Sequence, residues 1–71
     1  MGIFKILVTF KNGQQHVDTD WTSDFAVIQD SLVRLIRGPG SFVVKEILVI
    51  DESDCTVFLR RDGVQIWPEA A

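Results

Sequence analysis

The sequence predicts an α+β protein: a single helix packed on a mostly antiparallel four- to five-stranded sheet, in the order ββαβββ. Three observations carry that prediction. Phe25, Ile28, Leu32, Leu35 and Ile36 recur at helical spacing between polar residues at 22–24 and a Gly38-Pro39-Gly40 stop. The other apolar runs are rich in β-branched and aromatic residues, which suit a pleated, half-buried surface. Asn12-Gly13 and Asp62-Gly63 each fall between two such runs, where they read as hairpin turns.

Seventy-one residues predict one small domain spanning 1–71, with one layer of helix on one layer of sheet. A chain of this length buries only about 60% of its unfolded surface, so its stability margin is narrow. With 46% hydrophobic and 24% charged residues, the composition is that of a folded domain.

Ile3 to Phe10 is the first expected strand. The two-residue period puts Phe4, Ile6, Val8 and Phe10 on one face, towards the helix, and Ile3, Lys5, Leu7 and Thr9 on the other. Asn12-Gly13 turns the chain into a polar second strand, Gln14 to Thr19, whose charges suit a sheet edge. Thr22 or Ser23 is the expected helix cap, Asp24 an acid in the first turn, and Trp21 a staple against that turn. Asp30 and Arg34, four apart, form the expected pair on the outer helix face, and Val27 points to solvent. Gly38 is the expected left-handed stop.

Ser41 to Ile50 reads as a third strand without clean alternation. Phe42, Val44, Leu48 and Ile50 share one face and Val43, Ile47 and Val49 the other, unless a bulge near Lys45-Glu46 breaks the phase. Asp51 to Asp54 is a turn, Cys55 to Arg61 the fourth strand, and Val64 to Trp67 a short fifth, followed by a frayed 69–71. A hairpin feeding a helix and then further strands resembles the element order of the β-grasp folds of ubiquitin-like proteins. The chain ends Pro68-Glu69-Ala70-Ala71 without a Gly-Gly terminus, so conjugation or sulfur carriage is not expected.

The formal charge of −3 argues against non-specific binding to nucleic acid, which needs cations to release phosphate counterions. One cysteine, Cys55, excludes an internal disulfide, and no apolar run reaches the roughly 18 residues of a membrane span. Met1 to Lys5 lacks the pattern of a signal peptide, so a cytoplasmic protein is expected.

Candidate chemistry is sparse. His16 is the lone histidine; general acid–base work needs an orienting acid or nucleophile beside it, and Asp18 and Thr9 are the nearest candidates. Cys55 follows Asp51, Glu52 and Asp54, whereas a reactive thiol wants positive charge nearby, so a half-buried structural cysteine is expected. Asp18, Asp20, Thr22 and Asp24 alternate like the start of a calcium loop, but the turn glycine is missing and Gln29 stands where a closing Glu belongs. Capping explains these residues more simply. No catalytic residue, metal or cofactor is expected, and the chain does not read as an enzyme.

The remaining signal is surplus apolar surface. One helix covers one face, which leaves Ile3, Leu7, Val43, Ile47, Val49 and Trp67 as candidates for a protein interface. The expected function is therefore a protein–protein interaction module: a homodimer, or an adaptor or inhibitor of a larger partner, of the kind phages and mobile elements encode. The alternative is a nucleic-acid-binding module with a basic patch of Lys45, Arg60 and Arg61, beside Phe58.

Overall fold

A computed structural model describes residues 2–69. Its elements are β1 (Phe4–Phe10), β2 (Gln15–Thr22), α1 (Phe25–Arg37), a short 3-10 turn (Ser41–Val43), β3 (Val44–Asp51), β4 (Thr56–Arg61) and β5 (Val64–Trp67). The α+β class and the ββαβββ order are those expected. The expected frayed end at Ala70 and Ala71 lies outside the described residues, as does Met1.

All strand pairs are antiparallel, and the sheet runs β2-β1-β3-β4-β5. Since β2 and β3 both pair antiparallel with β1, they run parallel to each other with β1 between them. The helix is the crossover that joins them, as a split βαβ unit requires.

The first turn is built on Gly13 alone. Its φ is 90°, Asn12 stays at negative φ, and Gly13 N–H donates to the Phe10 carbonyl at 2.9 Å. Phe10 N–H donates in turn to the Gln14 carbonyl, which makes a three-residue loop with a glycine bulge instead of a two-residue turn.

Asp24, not Thr22 or Ser23, caps the helix: its Oδ1 accepts from Ala26 N–H at 3.0 Å. Thr22 Oγ1 instead accepts from Asp24 N–H at 3.1 Å and shapes the approach. The shift leaves Ser23 just ahead of the cap, so Trp21 has no staple position. Its ring lies 5.4 Å from the Lys5 ammonium instead. Gly38 stays extended at φ −77°, and the left-handed residue is Gly40 at φ 85°, two residues later than expected. The 3-10 turn that Gly40 opens consumes Ser41 to Val43, which were expected in β3.

The core is one cluster: Ile6 and Val8 of β1, Ile47 and Val49 of β3, and Ile28 and Leu35 of α1. Phe4, Phe10, Leu32, Ile36, Val44 and Phe58 pack around it, half-buried. β1 therefore has the phase expected. Phe25, placed on the helix stripe by its spacing, is 61% exposed, because it starts the helix beyond the core. Arg34 does not pair with Asp30. Its Nη2 reaches both carboxylate oxygens of Asp18 on β2, at 2.7 and 2.8 Å, while Thr19 Oγ1 donates to Ser31 Oγ at 3.1 Å. These two contacts tie the helix to the edge strand.

In β3 the simple alternation fails and the alternative, a bulge near Lys45-Glu46, is what the structure has. Thr9 pairs with Glu46 but Phe10 with Val44, so Lys45 is bulged out of the ladder. The extra residue keeps Val44 on the helix side along with Ile47 and Val49, and sends Glu46, Leu48 and Ile50 to the other side. Simple alternation from Val44 had given the reverse assignment.

Ile47→Ala is expected to lower stability by about 2–5 kcal/mol, out of a total of roughly 4–11 kcal/mol for a chain this long. Leu48→Ala, one residue along on the other face, costs less than about 1 kcal/mol in the isolated chain. Urea unfolding of the two variants at low protein concentration checks the assignment of faces.

Candidate functional site

The face of the sheet away from the helix carries a continuous cross-strand row. Val17 of β2 pairs with Leu7 of β1, Leu7 with Leu48 of β3, Leu48 with Leu59 of β4, and Leu59 with Trp67 of β5. Each strand contributes one large apolar side chain to the row, and the pairings set these residues directly opposite one another. Val17 and Trp67 at the two ends are each 50% exposed. Leu7, Leu48 and Leu59 are half-buried by their own neighbours in the sheet, and among the described residues no element lies over them.

The row has different flanks. On one side Lys5 pairs with Ile50, which pairs with Thr56, and Trp21 stacks beside Lys5. On the other, Gln15 pairs with Thr9, Thr9 with Glu46, Glu46 with Arg61 and Arg61 with Val64. Arg61 Nε donates to Glu46 Oε1 at 2.8 Å, so the charges on this flank are paired with each other.

Of the six interface residues expected from the sequence, the structure places Leu7 and Trp67 in this row. Ile47 and Val49 are 2% and 1% exposed and lie under the helix, for the reason the Lys45 bulge supplies. Val43 falls in the 3-10 turn, where its carbonyl accepts from Lys11 N–H at 2.8 Å, and Ile3 is half-buried ahead of β1. Leu48, Leu59 and Val17 were missed. Pairing them needs the register of four strand pairs, one of them the non-local β1–β3, and the only signal in the chain was the apolar character of both faces of β1 and β3.

The three cations expected to form one patch are divided. Arg60 pairs with Ile47 and so lies on the helix side, where it and Lys45 line a small cleft with Ser41 and Gly63. Arg61 is on the open face, held by Glu46. Phe58, the aromatic proposed beside them, packs against the core.

Other candidates take structural roles. His16 sits opposite Val8 with its ring edge-on to Phe10, 5.3 Å between centroids, while Asp18 is occupied by Arg34. Asp20 Oδ1 accepts from Trp21 N–H, and Asp24 caps the helix. Asp51 Oδ1 accepts from both Ser53 N–H and Cys55 N–H, at 2.8 and 3.0 Å, and so organises its turn. Among the described residues these acids do not converge as a metal-binding group. Cys55 is free and exposed, where a half-buried position was expected, because it belongs to the turn ahead of β4.

Among the described residues, no helix is long and apolar enough to cross a membrane. Comparison with protein-family models, curated proteins and solved structures finds no match.

The Glu46–Arg61 pair is half-exposed, with 24% and 51% of the two side chains accessible. Arg61→Ala is expected to reduce stability by less than about 1 kcal/mol, with the loss shrinking at high salt. Urea midpoints in dilute and in molar sodium chloride measure both effects.

Proposed function

We propose that this chain is a protein-binding module whose docking surface is the open face of the sheet, centred on Leu48. The observation that supports the reading is the row from Val17 to Trp67. Five large apolar side chains, one from each strand, form a band across a face that has no helix of its own. Single exposed apolar residues are ordinary on protein surfaces, whereas a contiguous band with a polar margin has the anatomy of an interface: an apolar centre and a charged rim.

The margin supports the same reading. Lys5, Glu46 and Arg61 border the band without entering it, Glu46 and Arg61 bonded to each other and Lys5 set against the Trp21 ring. Trp67 and Trp21 supply the large, rigid side chains that contribute most to binding where interfaces have been dissected. The division of Lys45, Arg60 and Arg61 between two faces, with Arg61 already paired, leaves the nucleic-acid alternative without a continuous basic track.

The test is affinity capture from the host with tagged wild-type chain and two variants, Leu48→Lys and Arg60→Ala. A lysine in the centre of the band places a charge where the partner must desolvate it. The expected outcome is a protein retained by the wild type and by Arg60→Ala but lost by Leu48→Lys, a second copy counting as a partner. A partner that still binds Leu48→Lys, or one lost only with Arg60→Ala, would refute the reading.

A further inference from the structure

We infer that the occupant of the open face is a second copy of this chain, joined face to face about a two-fold axis that passes beneath Leu48. The inference rests on the proposed docking role of that face and names its partner.

Dimensions favour a sheet as the occupant. Five strands at about 4.8 Å span roughly 24 Å, and their 33 residues at about 3.4 Å each give a face of about 540 Å² in plan. A docked helix, about 10–12 Å across, covers no more than half of the face even when it lies along the row. A sheet of the same width covers the band from Val17 to Trp67. Two such faces bury about 1,100 Å² even before their relief is counted, which clears the roughly 1,000 Å² of a specific interface. A second copy also brings the same twist, and sheets of matching twist stack about 30° apart.

The row is also complementary to itself. Leu48 lies on β3, the middle strand of the five, and is the middle residue of the row. A two-fold axis in the contact plane, inclined about 15° to β3 so that the sheets cross at about 30°, sets Leu48 against Leu48 of the second copy and Leu7 near its Leu59. Glu46 then faces its own copy, with Arg61 bonded to each. The same operation lays Val17, the smallest side chain of the row, against Trp67 of the second copy, the largest. Both are half-exposed in the single chain, and each supplies the volume the other lacks. The shared patch is of the isologous kind that two-fold dimers require.

The experiment uses the full chain with Cys55 replaced by serine, since that exposed thiol would cross-link by itself. Three measurements are combined: sedimentation over a range of concentrations, oxidative cross-linking of Leu48→Cys and Val33→Cys, and binding of an apolar fluorescent dye. Val33 is 59% exposed on the outer side of the helix and serves as the control. The expected result is a dimer whose dissociation constant rises at least about 100-fold in Leu48→Lys, as a buried lone charge demands. Leu48→Cys forms a covalent dimer and Val33→Cys does not. Circular dichroism verifies that the variants fold, and the cysteine pair stands if Leu48→Lys does not fold.

A monomer at every concentration, or equal cross-linking at 48 and 33, overturns the second copy. If that monomer binds dye through a site lost in Leu48→Lys, the face still serves a different protein and only this inference fails. A monomer whose dye binding is untouched by Leu48→Lys overturns the docking role as well.

Discussion

The structure depends on the phase relation between β1 and β3. Side chains alternate across a sheet, so a slip of one residue in either strand exchanges its whole buried set for its exposed set. Ile6 opposite Val49, and Val8 opposite Ile47, place four branched side chains on one side at the centre of the sheet. Ile28 and Leu35 of the helix close over them. The Lys45 bulge makes this phase compatible with Val44, which also packs against the core on the helix side.

Polar side chains near the chain reversals are spent on the backbone. Asp24 caps the helix, Asn12 Oδ1 accepts from Gln14 N–H at 2.9 Å, and Asp51 holds two amide groups of its turn. Such local bonds satisfy donors that neither helix nor sheet can reach, and they locate the reversals. They also explain why acidic stretches that suggest metal binding in sequence become capping devices in three dimensions. Asp18 differs from the others: a bulge in β2 turns it and Thr19 both towards the helix, where Arg34 and Ser31 receive them.

The class, the element order, the helix stripe and the phase of β1 were legible because each rests on short-range periodicity. Phe4, Ile6, Val8 and Phe10 alternate without interruption, and Ile28, Leu32, Leu35 and Ile36 repeat at helical spacing. The faces of β3 were not legible. Valine, isoleucine and leucine occupy consecutive positions there, so apolar pattern carries no phase, and the bulge that decides it is a relation between Lys45 and a strand 35 residues earlier. The open apolar face had the same difficulty on a larger scale. That an uncovered apolar face exists followed from counting helices, yet its members depend on four strand pairings. Two of the six residues named from sequence, Leu7 and Trp67, reached the central row, and Ile47 and Val49 went to the core.

The sheet extends further than the helix that covers it. β5 is four residues long, every one of them exposed, and it is held through β4 alone. Elements with few buried contacts open at low free energy while the rest of the fold stays intact. Trp67, one end of the apolar row, belongs to this least secured strand. A partner that closed over the row, as proposed, would therefore also fasten the C-terminal hairpin, and by thermodynamic linkage the hairpin's readiness to close would set part of the affinity. Sequence changes in the Asp62-Gly63 turn, remote from any contact, would then tune binding by altering how often Trp67 is in place.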